Sequence, residues 1–288
     1  MFKGAITALV TPFRNGKVDE ESLAELVKWQ IDNGIDGLLA CGCTGEAATL
    51  TTKEHLLVIE KVMKSSGGRV PVIAGTGKND TASSIALSLE AEALGVDAVL
   101  LITPYYNKPT PRGQIEHYTR VADAVNCPVI LYNVPGRTGT NMLPETIATL
   151  SLHPRIVAIK DAAGSAERVT AIRNLCGITI LSGDDPIAMA QVALGAKGVI
   201  SVVSNIAPAE MSNLVSLTTA GELERARSIQ AKLYPLIKAM FLETNPIPVK
   251  KALSLMGMIS DELRLPLVSM SEKLVPELVE VLGKAGII

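Results

Sequence analysis

The stretch Ile156-Val157-Ala158-Ile159-Lys160-Asp161-Ala162-Ala163-Gly164 decides the fold class and locates the chemistry. Between Pro154-Arg155 and Gly164 lies a short apolar run rich in β-branched residues, the signature of a parallel strand buried on both faces. The run ends in a lysine. A dry environment disfavours the charged form of an amine and lowers its pKa, and an amine pushed towards neutrality attacks carbonyl carbons. One reading of Lys160 is therefore a Schiff-base nucleophile. The other is a lysine that snorkels out of the strand end or pairs with its neighbour Asp161.

Working outward, the same kind of run recurs at 5–10, 37–42, 70–74, 98–103, 128–133, 178–182 and 198–203. Amphipathic segments lie between these runs. Leu23, Leu26, Val27 and Ile31 mark one helix, opened by the acids Asp19-Glu20-Glu21, and Leu56, Leu57, Ile59 and Val62 mark the next, after Thr52. Gly34, Gly95 and Gly195 stand where left-handed C-caps are expected. Eight such units in about 220 residues give an α/β class, a (β/α)8 TIM barrel. A doubly wound sheet would carry a glycine-rich phosphate loop after its first strand, and Thr11-Pro12-Phe13 stands there instead. Gly75-Thr76-Gly77 reads as a tight strand-end turn. Beyond residue 221 the strand pattern stops. Segments 222–243, 247–257 and 270–285 read as a C-terminal three-helix extension, interrupted by Asn245-Pro246-Ile247-Pro248 and Leu265-Pro266. The expected organisation is a catalytic barrel over 1–221 and a helical extension over 222–288.

Composition narrows the function. A net charge of −2 over 288 residues, without a basic cluster, argues against nucleic-acid binding, which depends on phosphate neutralisation. No apolar run approaches the roughly 20 residues that span a bilayer. Met1 to Ile6 enters a strand-like run without a signal-peptide pattern. Cys41, Cys43, Cys127 and Cys176 form no CxxC pair, and His55, His117 and His153 are scattered, so no zinc pattern is present. A cytoplasmic protein without membrane association is expected.

Active sites of such barrels sit at the C-terminal ends of the strands. Those positions hold Gly42-Cys43-Thr44-Gly45-Glu46, Thr103-Pro104-Tyr105-Tyr106-Asn107, Tyr132-Asn133-Val134-Pro135-Gly136-Arg137-Thr138-Gly139, Lys160, and Ser182-Gly183-Asp184-Asp185. Three of the five tyrosines fall there. A tyrosine hydroxyl donates and accepts, which suits proton transfer beside an imine, and Tyr132 occupies the strand end next to Lys160. The Gly42–Gly45 turn offers successive N–H groups as a nest for a small carboxylate. Arg137 is placed to fork onto a second one. The set describes a site for a 2-oxo acid and an acidic co-substrate.

These motifs resemble the dihydrodipicolinate synthase (4-hydroxy-tetrahydrodipicolinate synthase) branch of the pyruvate-dependent class I aldolases. The likeness runs from Gly4-Ala5 to Arg264-Leu265-Pro266 and includes Gly198-Val199-Ile200-Ser201-Val202 and Asn245-Pro246-Ile247-Pro248-Val249-Lys250. The resemblance implies a lyase that condenses pyruvate with L-aspartate semialdehyde in lysine and diaminopimelate biosynthesis, without a cofactor. It implies that Lys160 forms the Schiff base and that Tyr132 relays protons. Tyr106 would complete the relay from a neighbouring subunit. Thr44 would bind the pyruvate carboxylate, Arg137 would bind that of the aldehyde, and Gly183 and Ile200 would line the pocket. It further implies a homotetramer, a dimer of dimers.

Two positions depart from the family pattern. Cys43 replaces the threonine whose hydroxyl links the two tyrosines; a thiol is the weaker hydrogen-bonding group and ionises near pH 8.5, roughly. Lys160 is followed by Asp-Ala-Ala-Gly, where many synthases have Glu-Ala-Thr-Gly. Lys-Asp also occurs in sister aldolases that cleave sugar-derived 2-oxo acids; a sister aldolase acting on a 2-keto-3-deoxy sugar acid or 4-hydroxy-2-oxoglutarate is the rival reading, and a non-catalytic pyruvate-binding barrel is a third. Of the positions that hold the feedback inhibitor lysine in the family, Ala48, His55, Asn79 and Tyr105 match. Ser83 lacks the glutamate of sensitive enzymes, and Thr52 replaces a histidine seen in some. Weak or absent feedback is expected.

Overall fold

A computed structural model describes residues 2–288. The eight apolar runs form strands β1 (Gly4–Ala8), β2 (Gly37–Ala40), β3 (Val72–Gly75), β4 (Ala98–Ile102), β5 (Val129–Asn133), β6 (Ile156–Asp161), β7 (Thr179–Ser182) and β8 (Gly198–Ser201). Each pairs in parallel with its neighbours, and β1 closes the barrel by pairing with both β8 and β2 through Ile6↔Ile200 and Ile6↔Gly37. This is the (β/α)8 barrel expected from the alternating pattern.

Side chains alternate across each strand and build two cores. Ile6, Leu39, Ile73, Leu100, Ile130, Ala158, Leu181 and Ile200 fill the barrel interior. Val72, Val99, Leu131, Ile159 and Ile180 face outward onto the helices, among them Leu26, Ile59 and Val121. The period of two has a direct consequence. Tyr132 shares the inward parity of Ile130, and Lys160 that of Ala158, so both side chains enter the barrel mouth.

The helix starts follow local chemistry. The Asp19 carboxylate accepts from the Ser22 N–H at the head of Glu20–Asp32, and Thr51 with Glu54 forms a reciprocal capping box on Thr52–Ser66. Gly34, Gly95 and Gly195 adopt positive φ at helix ends.

Several boundaries differ from the sequence reading. β1, β2 and β8 stop at Ala8, Ala40 and Ser201 rather than at 10, 42 and 203. Beyond those points the backbone turns to the site, and the Val10 N–H donates to the Asn205 side chain instead of a ladder carbonyl. The extension helices are Leu223–Ala239, Ile247–Leu255 and Val275–Lys284. The last begins five residues later than expected from 270, with Pro276 in its first turn. A small hairpin, Phe13–Arg14 with Lys17–Val18, was not anticipated.

The extension packs on the barrel. Leu233, Leu236, Ile237, Leu253, Leu278 and Leu282 join the same apolar cluster as the barrel helices. Lys250 reaches into the interior to pair with Glu46 at 2.7 Å, and Arg264 forks onto Glu54. The segment around Asn245 is thereby brought to the barrel mouth. Among the described residues, no helix is long and apolar enough to cross a membrane.

Candidate active site

Tyr132 and Lys160 face each other in the β5–β6 register, and the Lys160 ammonium lies 4.3 Å from the Tyr132 ring centroid. Both side chains are buried, at 5% and 6% exposure. Lys160 makes no ion pair among the described residues. The adjacent Asp161 is claimed by Arg168, whose Nε and Nη2 donate to its carboxylate at 3.0 and 2.8 Å. That removes the Lys160–Asp161 pair entertained from sequence. Burial lowers the Lys160 pKa to about 8, against opposing pulls from Cys43, Asp185 and Asp184 and with help from Arg137. Burial, reinforced by Cys43, raises that of Tyr132 well above its ordinary value, so the phenol stays protonated. A partly neutral amine thus sits beside a protonated hydroxyl.

Gly183 leaves no room for a side chain. A Cβ there would lie 2.6 Å from the Ala162 Cβ, and 3.1 Å from the Lys160 Cε, so it would force Ala162 aside and crowd the lysine stem. Ile200, 1% exposed, packs in the same interior cluster as Tyr132.

The turn after β2 keeps part of the expected set of free amides. The Gly45 and Glu46 amides close the turn on the Gly42 and Cys43 carbonyls. The amides of Cys43 and Thr44 have no protein acceptor among the described residues. Thr44 is buried, and its hydroxyl accepts from the Asn245 side chain at 3.0 Å. Arg137, in the short helix Pro135–Thr138 after β5, is exposed and donates through Nη2 to the Asn245 carbonyl at 3.0 Å. It makes no salt bridge among the described residues.

Cys43, Tyr132, Arg137 and Asn245 share the wall of a cavity of about 300 Å³ with Ala48, His55 and Tyr105. Lys160 is not on that wall; it stands over the Tyr132 ring, which is. His55 is neutral: burial lowers its pKa to about 4, its Nε2 lies 2.8 Å from the Gly75 carbonyl, and its Nδ1 has no partner. Asn79 and Ser83 line a separate recess with Thr52, Lys78, Asp80 and Glu90. Tyr106 is not brought to the site within this chain. It is 90% exposed, with its backbone at φ +74°, a conformation that L-residues rarely hold.

Sequence reasoning missed three elements: the Asp161–Arg168 fork, the buried Glu46–Lys250 pair, and Asn245 as the link between Thr44 and Arg137. The last two join residues about two hundred positions apart, 204 for Glu46–Lys250 and 201 for Thr44–Asn245, so no local pattern encodes them. The one available signal was the Asn245–Lys250 run itself, one of the motifs that carry the family resemblance.

Comparison with known proteins agrees with this geometry. The model of the dihydrodipicolinate synthetase family matches residues 1–285. The chain is 52% identical over 290 residues to a 4-hydroxy-tetrahydrodipicolinate synthase of Thermodesulfovibrio yellowstonii, covering 100% of both. It superposes on dihydrodipicolinate synthase from Aquifex aeolicus with a TM-score of 0.98 at 45% identity, covering 99% of each chain. It also superposes on the lysine-bound enzyme of Cyanidioschyzon merolae with a TM-score of 0.97 at 37% identity, covering 100% and 99%. With the barrel, the strand-end lysine and these likenesses together, the chain belongs to the dihydrodipicolinate synthetase family.

Proposed function

We propose that this chain is a lyase that condenses pyruvate with L-aspartate 4-semialdehyde to 4-hydroxy-tetrahydrodipicolinate, in lysine and diaminopimelate biosynthesis. The observation that carries the residue assignment is the buried, unpaired Lys160 amine over the Tyr132 ring. With a pKa of about 8, about one amine in ten is neutral at pH 7. The neutral amine adds to C2 of pyruvate, and loss of water leaves an iminium. Removal of a C3 proton gives an enamine, whose C3 attacks the aldehyde carbon of the semialdehyde. The amino group of that product then closes on C2 and expels Lys160, so one water is released per turnover. Tyr132, held protonated, supplies and recovers protons at these steps. Thr44 and the free amides of the β2 turn bind the pyruvate carboxylate, and Gly183 and Ile200 shape the pocket. Arg137, which has no carboxylate partner in the chain, takes that of the semialdehyde.

The exposed Tyr106 fits the relay only if a second copy receives it near Cys43 and Tyr132, so the working unit is an oligomer, a homotetramer built as a dimer of dimers. Residues 1–221 form the catalytic barrel and 222–288 the extension that braces its mouth. The four cysteines are unpaired, as suits a reducing cytoplasm.

Borohydride reduction in the presence of pyruvate tests the reading. One reduced pyruvyl group per chain is expected, mapped to Lys160. An adduct on another lysine, or none, would remove the Schiff-base assignment. Turnover with the semialdehyde should exceed cleavage of 2-keto-3-deoxygluconate.

Regulation by L-lysine should be weak or absent. Position 83 offers a hydroxyl where an ammonium would need a carboxylate, and the nearby Asp80 carboxylate is engaged by the Ser83 N–H at 2.7 Å. Inhibition at sub-millimolar lysine in a steady-state titration would refute this.

A further inference from the structure

The Thr44 hydroxyl has one hydrogen to give and two lone pairs to receive. The Asn245 amide fills one lone pair, donating from Nδ2 at 3.0 Å. The hydroxyl hydrogen itself goes to no protein acceptor among the described residues. Both side chains are buried, Thr44 at 4% and Asn245 at 5% exposure. A hydroxyl held in this polarity keeps its hydrogen for an incoming anion, beside the unused Cys43 and Thr44 amides.

The neighbourhood keeps that arrangement rigid. Two residues on, Glu46 is locked by Lys250 from the helix that begins just after Asn245. The Asn245 carbonyl accepts from Arg137. One residue of the extension thus touches the group assigned to each substrate carboxylate.

We propose that Asn245 is a positioning residue for pyruvate: its side-chain amide fixes the Thr44 hydroxyl as a donor to the substrate carboxylate. The inference rests on the pyruvate reading given above. It explains why an asparagine, rather than an acid of the same shape, stands just before the helix Ile247–Leu255. An aspartate would accept the Thr44 hydrogen, reverse the polarity and set a negative charge against the substrate.

The test is the pyruvate concentration that gives half-maximal borohydride trapping at Lys160 in the full-length protein. Asn245→Asp should raise it by roughly 10-fold or more, the effect of losing and opposing a charge-assisted bond. Asn245→Ala should raise it only about 3-fold, because the freed hydroxyl still turns to donate. In a Thr44→Val background the Asn245→Ala effect should vanish, and the penalty of Asn245→Asp should shrink to charge repulsion alone. A half-maximal concentration in Asn245→Asp within about twofold of wild type would overturn the inference, as would an Asn245→Ala effect equal in both backgrounds. If Asn245→Asp does not fold, the alanine pair decides by the same criterion. Failure of the wild-type protein to form any Lys160 adduct would instead remove the pyruvate reading, and this inference with it.

Discussion

Two buried lysines sit in similar surroundings but differ in their partners. Lys160 at the end of β6 and Lys250 beneath the extension each hold the ammonium 4.3 Å from an aromatic centroid, Tyr132 in one case and Phe13 in the other. Burial lowers the pKa of both. Lys250 donates to Glu46 at 2.7 Å and to the Thr11 carbonyl at 3.0 Å, whereas Lys160 makes no ion pair among the described residues, its neighbouring acid being held by Arg168. A paired buried lysine ties two parts of the chain together. An unpaired one carries a cost that chemistry can use.

That contrast predicts opposite signs for one substitution. Lys250→Met or Glu46→Gln strands a buried charge and should destabilise the fold by about 3–5 kcal/mol, with much of the loss recovered when Lys250→Met is combined with Glu46→Leu. Lys160→Met should abolish the pyruvate adduct and leave stability unchanged or higher. The folded Lys160 releases its proton near pH 8 and an unfolded lysine near 10.5, so the unfolded chain binds more protons between those values. Stability therefore rises with pH across that window, and below it the depressed pKa costs on the order of 3 kcal/mol. Urea unfolding of the four variants at pH 7 checks both halves. Equal destabilisation by both lysine substitutions would erase the distinction.

The same contrast marks what the sequence could say. Lys160 was legible because a charge ending a β-branched run is conspicuous, and the period of two carries Tyr132 to the same mouth. Lys250 was not, since Glu46 is remote in sequence and a lysine on a short helix reads as solvated. The barrel was legible from its beat, but apolar residues just past the strands, such as Val10 and Val202, extended the expected strands into loops. The Phe13–Val18 hairpin was missed despite its Asn15-Gly16 turn, where both residues have positive φ, the ordinary chemistry of a two-residue hairpin loop. Tyr106 had a clear motif, yet the chain by itself leaves its ring 90% exposed.

A smaller effect sharpens the contrast through pH. If the neutral Lys160 amine is the nucleophile, trapping by pyruvate should accelerate about tenfold per pH unit and level off near pH 8. An ordinary lysine, with a pKa near 10.5, would still accelerate at pH 9. Rates of adduct formation from pH 6 to 9.5, read by stopped-flow or quench, distinguish the two. Continued acceleration above pH 9 would place Lys160 with the common surface lysines.

The smallest effect comes from Cys43, whose neighbouring sulfur opposes the loss of the Lys160 proton and raises the pKa of Tyr132. Threonine keeps a hydrogen-bonding group at the same place and does not ionise in this range. Cys43→Thr should therefore move the inflection of the Lys160 profile downward by less than about one pH unit, since one half-buried neighbour acts against a dominant burial effect. Tyr132 should gain a stronger hydrogen-bond partner, so turnover should be retained or raised. The measurement is the pair of quantities together, the inflection of the trapping profile and kcat at pH 8. A downward shift with kcat preserved identifies the thiol as a tolerated substitute that slightly blunts the lysine. Loss of turnover with the fold and the Lys160 adduct intact would show instead that the chemistry after imine formation needs the thiol, and that Cys43 belongs with Tyr132 in handling the proton.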